Sequence, residues 1–334
     1  VDRWLATERN VRVCAVLGAI TIAFSSILVR LSHASPSTAA IFRCVYAVPI
    51  LGLLAWREDR RLGARSWHDR MFAIGSGVFF TIDLILWHRS IGDVGAGLAT
   101  VLANIQVVLV PLVAWAVLAE KPGRQLLAAL PLALIGVLLI SGVLEQGAYG
   151  RDPARGAVYG LGAGTAYVGF LLLLRRGGTD VRSRGKPRAR RPASPSTRSP
   201  SHPAAGPLFD ATATAAVLCV IAGSIIGDAR LVPAWPGAGW LIALALSSQV
   251  VGWLLITTSL PRLPAALTSL LLTIQPVGSV ALAALIFGED PSALQLVGVV
   301  MVVGALVWAT RPRKTTRSAG VRSRALAADA ESVI

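Results

Sequence analysis

Ten apolar runs with few charges, each close to the length of helix that crosses hydrocarbon, leave this chain few ways to fold. Bounded by charge, proline or glycine, they fall at 12–30, 38–56, 71–91, 94–118, 125–144, 156–174, 208–227, 237–260, 263–287 and 292–310. About 20 residues rising 1.5 Å each span a bilayer core. Backbone groups in that core are satisfied only within a helix or a closed barrel. Charged residues make up 15% of the chain and hydrophobic ones 54%, against about 25% charged in a soluble domain. A soluble globular fold is therefore excluded first. The expectation is an all-α polytopic membrane protein with ten transmembrane helices, mostly joined as antiparallel hairpins by short connections. The narrowest break lies between the third and fourth runs, at Arg89, Gly92, Asp93 and Gly95. No A-x-A-like site follows a short first core near Val11, so that run is expected to be a retained span.

The net charge of +15 could point to nucleic acid, but the placement of the basic residues does not. With the N-terminus in the cytoplasm, Arg3, Arg9 and Arg12 share a side with the arginines of 57–70, with Lys121 and Arg124, and with Arg262. The arginine-rich stretches 175–207 and 311–334 fall there too. Of 32 Lys and Arg, only Arg89, Arg151, Arg155 and Arg230 face the other side, while Arg30 and Arg43 lie within spans. This asymmetry places both termini in the cytoplasm of a cell membrane. The expected partners are a lipid bilayer and a small molecule, with no nucleic acid; monomer and homodimer both stay open. Residues 175–207, rich in Arg, Pro, Ser and Gly, read as a disordered basic linker, and 311–334 as a basic tail. Cys14, Cys44 and Cys219 stand singly in apolar runs, which suits buried thiols; neither a disulfide framework nor a metal site is expected.

The halves repeat. A shift of 169 residues lays Ser90 on Ser259, Ile105–Gln106 on Ile274–Gln275, Glu120 on Glu289 and Pro122 on Pro291. The first copy covers 12–144 and the second 156–310, interrupted by the linker. Five spans per copy is an odd number, so the second copy enters the membrane inverted, the arrangement that serves alternating access.

The segment SSILVRLSHASPSTAAIFR, the Gly-Ala-Gly-Leu-Ala run ending in LAEKP, and its second-half echo ending in FGEDP resemble the EamA-type transporters of the drug/metabolite transporter (DMT) superfamily. The resemblance implies two five-helix inverted-topology repeats around a central cavity. It also implies secondary active export of a small organic metabolite, amino acid or drug, with proton coupling as proposed for some members. It implies neither an enzyme nor a cofactor. The rival readings are an integral-membrane flippase or enzyme for lipid-linked substrates, which would show clustered carboxylates or histidines, and a non-transporting scaffold built around the basic linker.

Ionisable groups in hydrocarbon cost about 3 kcal/mol or more unless paired or wetted, so each is a functional candidate. Asp83 lies deep in span three, with Trp87 and Ser90 on its face at i+4 and i+7. It is a candidate for a cationic or zwitterionic substrate or a coupling proton; a pair with Arg43 is the structural alternative. Arg43, in the first turns of span two, resembles the arginine common at this point in the family and suits a carboxylate or phosphate; helix-to-helix pairing is its alternative. The remaining candidate wall residues are Thr100 and Asn104, Ser269 and Thr273, Gln249 and Trp253, and Ser25 and Ser26. Gln106 and Gln275 project about 200° away on the same helices, so a straight helix cannot present both polar sets equally. Gly156, Gly160 and Gly164 make two G-x-x-x-G steps that favour close helix contact. Glu120 and Glu289 are expected to cap or pair at span ends, and His88 to sit exposed at the interface.

Overall fold

The computed structural model describes residues 8–106, 108–109, 112–113, 124–177, 204–259 and 274–309, and within them all regular structure is helical. In chain order the helices are α1 (Glu8–Ala23), α2 (Ser25–Leu31), α3 (Pro36–Val45), α4 (Val48–Leu62), α5 (Trp67–Val94), α6 (Ala96–Ala103), α7 (Arg124–Ile140), α8 (Pro153–Gly177) and α9 (Ala205–Ile226). Then come α10 (Gly237–Leu244), a π-helical stretch at Ala245–Gly252, α11 (Trp253–Ser259), α12 (Ile274–Phe287) and α13 (Ala293–Ala309). Local signals set several ends. Ser35 accepts the Thr38 amide ahead of Pro36 at the first turn of α3, and Ser66 accepts the Asp69 amide at the start of α5. Gly95 separates α5 from α6 at φ +89°, a conformation that L side chains rarely adopt.

Among the described residues, six helical stretches are long and apolar enough to cross a bilayer: Asn10–Leu31, Pro36–Leu62, Trp67–Val94, Pro153–Leu174, Ala205–Ile226 and Gly237–Ser259. Leu127–Ile140, Ile274–Phe287 and Ala293–Trp308 are shorter apolar helices. The chain is a multi-pass helical membrane protein. Large apolar side chains such as Ile225, Leu285 and Val300 stand exposed on its exterior, where lipid rather than water is the natural solvent. Parts of the expected fourth and ninth spans, and residues 178–203 and 310–334, lie outside the described residues.

Glycines set how the helices meet. Along α5 and α8, Gly177 abuts Asp69 and Ala73, Gly169 abuts Phe79, Gly160 abuts Ser90, and Gly156 abuts Val94. The numbers run in opposite directions, so these two helices are antiparallel along their full length. Gly156, Gly160 and Gly164 thus serve close contact, Gly164 sitting under the Ala103 carbonyl. The same logic pairs α3–α4 with α9, where Ser37 meets Gly223 and Gly52 meets Phe209. It pairs α1 with α11 and the π-helical stretch, through Gly18 on Ile256 and Gly252 on Ile22. It pairs α6 with α12, through Gly97 on Val280, and α7 with α13. At this last crossing, a Cβ on Gly136 would lie 2.7 Å from the Gly298 carbonyl oxygen, and one on Gly298 2.6 Å from that of Gly136.

His88 departs from expectation. It is 2% exposed, and its Nδ1 lies 3.1 Å from the Pro36 carbonyl oxygen. The helix does not end near Arg89 but runs on to Val94, which keeps this turn of α5 inside the bundle against the start of α3.

The α7–α13 crossing yields a controlled test. Gly298→Ala forces two backbones apart and is expected to cost about 1–3 kcal/mol of stability. Gly304→Ala, on the same helix with nothing within 4 Å, should leave stability unchanged or slightly raised. Thermal unfolding of the two variants in detergent compares them.

Candidate functional site

Near the middle of α5 the helices leave a polar cavity of about 60 Å³. Phe80, Asp83, Leu84 and Trp87 line it from α5, in the i, i+3, i+4, i+7 pattern of one helix face. Ile22 and Ser25 contribute from the first span, Arg43 from α3, and Thr100, Ala103, Asn104 and Gln106 from α6 and the turn that follows. Tyr167, Trp253 and Gln275 close it from the second half of the chain. A small-molecule pocket usually holds about 300–1,000 Å³. The cavity bounded by the described residues is smaller than that.

Arg43 is fixed before any ligand arrives. It is 4% exposed; its Nε donates to Gln249 Oε1 at 3.0 Å, and Nη2 reaches Ser248 Oγ at 3.5 Å. Its guanidinium also lies 5.7 Å from the Trp87 ring centroid and 6.0 Å from that of Phe80. Gln249 in turn donates to Thr212 Oγ1 at 3.1 Å. The π-helical stretch carries Ser248 and Gln249, and such widened turns recur at functional sites. Gln249, expected as a wall residue, is fully buried one layer behind the cavity, because Arg43 draws its amide inward.

Asp83 is the contrast. It is 6% exposed and, among the described residues, has no hydrogen-bond or ion-pair partner; the pair with Arg43 considered from sequence is not formed. Trp253, 4% exposed, lines the same cavity, and its indole Nε1 has no acceptor among the described residues. Phe170 meets the Trp253 ring edge-on at 5.2 Å and stacks on Phe80 at 4.5 Å, while Tyr167 lies 5.9 Å from Trp253. Among the described residues the site therefore offers a carboxyl and an N–H donor without partners, set among aromatic rings beside an arginine already held by amide and hydroxyl.

Thr100 and Asn104 both line the cavity, and so does Gln106. The helical geometry that separated them does not persist. α6 stops at Ala103, Asn104 N bonds back to both Thr100 O and Val101 O, and Ile105 N bonds to Leu102 O. These tighter turns bring Gln106 round. Ser25 lines the cavity, whereas Ser26 turns to Ser279, Oγ to Oγ at 2.6 Å. Ser90, on the Asp83 face by period, donates instead to Gly156 O at 2.8 Å. Ser269 and Thr273 lie outside the described residues, as does Glu120. Phe80 and Tyr167 were not singled out from sequence, yet the signal was present. Phe80 precedes Asp83 by one turn, and Tyr167 continues the Gly156–Gly160–Gly164 face one turn on.

A bundle of apolar helices with a buried polar chamber at mid-depth is the form of a membrane transport protein. The model of the EamA-like transporter family matches residues 11–142 and 205–311, and the chain belongs to that family. Helix α8 lies between the two matched segments. No curated protein matches the chain. One crystal structure of another protein is similar at a TM-score of 0.57 and 14% identity, over 90% of this chain and 95% of that one, a likeness of fold alone.

Stability should separate the two charged wall residues. Gln249→Leu strips the buried Arg43 of its best acceptor and is expected to cost about 1–3 kcal/mol. Asp83→Asn breaks no bond among the described residues and is expected to cost less, or to stabilise by removing a buried carboxyl that has no partner there. Unfolding midpoints in detergent decide; an Asp83→Asn loss as large as that of Gln249→Leu would mean that Asp83 is a structural group.

Proposed function

We propose that this protein is a secondary active transporter that moves a small organic solute by alternating access through the Asp83 cavity. The observation that carries the reading is the unpaired Asp83 carboxylate in a chamber walled by both halves of the chain. In hydrocarbon such a group is retained at a cost, and a cationic or zwitterionic solute, or a coupling proton, would give it a partner. Trp87 and Trp253 would seat the apolar part of that solute, and the Trp253 indole would donate to an acceptor on it. Arg43, Thr100, Asn104 and Ser25 complete the proposed wall, with Ser269 and Thr273 as further candidates from the repeat.

The proposed architecture is ten spans in two five-helix inverted repeats. The helix pairing supports it. A two-fold relation in the membrane plane exchanges span one with six, two with seven, three with eight, four with nine and five with ten. A contact between spans three and six then requires one between eight and one. α5 packs on α8, and α1 packs on α11 and the π-helical stretch. The other pairings, α3–α4 with α9, α6 with α12 and α7 with α13, each map onto themselves. An integral-membrane enzyme has no need of that symmetry. Among the described residues no group of three or more His, Cys, Asp or Glu is placed to hold a metal ion. The proposed setting is the cell membrane, with both termini cytoplasmic and transport directed outward.

Purified protein in liposomes should exchange labelled amines or amino acids by counterflow. Asp83→Asn should lower that exchange at least tenfold and abolish any uptake driven by a pH gradient. Undiminished pH-driven uptake by the variant would remove Asp83 from the coupling role. Absence of exchange by folded wild-type protein across a broad panel would remove the transporter reading itself.

A further inference from the structure

A second recess lies beyond the cavity along α5. It measures about 370 Å³ and is lined by Arg30, His33, His88, Asp93, Gly95 and Arg151, among others. The two spaces share α5, with Asp83 and Trp87 facing one and His88 and Asp93 facing the other. The partition beside them is built from the Glu289 end of α12, the amino end of α6, and α2.

Its bonds are concentrated on one carboxylate. Glu289, 4% exposed, accepts from the Ala96 amide at 2.8 Å and the Gly97 amide at 3.2 Å, and it is ion-paired with Arg30. Arg30 lies over the Phe287 ring, 4.3 Å from its centroid. The fit requires glycine at 95, since a Cβ there would come within 2.8 Å of Glu289 Oε2. Ten residues earlier in the chain, Ser279 bonds Ser26 at 2.6 Å, Thr100 Oγ1 at 3.0 Å and the Ala96 carbonyl at 3.2 Å. Thr100 also lines the cavity. A continuous set of bonds therefore runs from the cavity wall to Glu289, and it ties α2 and α6 of the first half to α12 of the second.

From this geometry we infer that Glu289 is a latch, a positioning residue whose seat on the α6 amides and Arg30 holds the cavity shut toward the recess. The inference rests on the alternating-access reading but has its own readout. Parting α12 from α6 exposes the amides of Ala96 and Gly97, the Arg30 guanidinium and the Glu289 carboxylate together. Water entering from the recess can solvate all of them once they separate. The closed form is thus favoured while the partition is dry, and opening is all-or-none across the three helices. A solute pressing on Thr100 would disturb the Ser279 bonds next to the latch.

Sided labelling tests this. A cysteine introduced at Ala103, on the cavity wall, is reacted with a membrane-impermeant cationic methanethiosulfonate in vesicles of each orientation. The chain without that substitution corrects for Cys14, Cys44 and Cys219, all buried. Glu289→Gln and, separately, Arg30→Gln should raise the reaction rate about tenfold or more from the Glu289 face, the size set by losing charge-assisted hydrogen bonds. From the opposite face the rate should stay level or fall. An equal rise from both faces would mean general loosening, and an unchanged rate would mean that the partition closes without Glu289; either overturns the latch. Counterflow by the wild type is scored separately, so a missing substrate and a missing latch give different results.

Discussion

A polar group inside hydrocarbon has only the protein to bond to, and that constraint organises this molecule. Arg43 meets it through Gln249 and Ser248, and Gln249 through Thr212. Carboxylates at the helix ends are held as well: Asp93 by Arg155, which chelates both its oxygens at 2.8 and 2.9 Å, and by Arg151. Asp210 takes Arg65 at 2.8 Å, and Glu58 accepts the amides of residues 204–206 at the start of α9. Among the described residues, the Asp83 carboxyl has no hydrogen-bond or ion-pair partner and the buried Trp253 indole N–H has no acceptor, and both line the cavity.

The glycines act on the same constraint from the packing side. Lipid offers helices no hydrophobic drive to associate, so contact rests on close van der Waals approach and on bonds between helices. Gly136 against Gly298, and the glycine face of α8 against α5, bring backbones near enough for side chains such as Ser90 to reach a carbonyl on the neighbouring helix.

Much of this was legible in the chain itself. Span positions follow from apolar length, and the i, i+4 relation of Asp83 and Trp87 placed both on one wall. What sequence did not reveal came from departures from regular helix and from long-range pairing. The break after Ala103 brings Gln106 beside Asn104 against the 100° rule. The extension of α5 to Val94 buries His88 where an exposed ring was expected. The removal of Gln249 to a layer behind the wall depends on Arg43, 206 positions away in the chain, and no periodicity reports such a partner. Ser26 likewise read as a wall residue until Ser279 appeared beside it.

The proposed architecture sets two related bundles in opposite senses in the bilayer. Lys121 and Asp290 occupy equivalent places in the two copies, at the 169-residue offset. Single cysteines at those two positions, probed with an impermeant maleimide in sealed vesicles of known orientation, measure the arrangement directly. Reaction from opposite faces of the membrane is the predicted result, and reaction of both from the same face would contradict it.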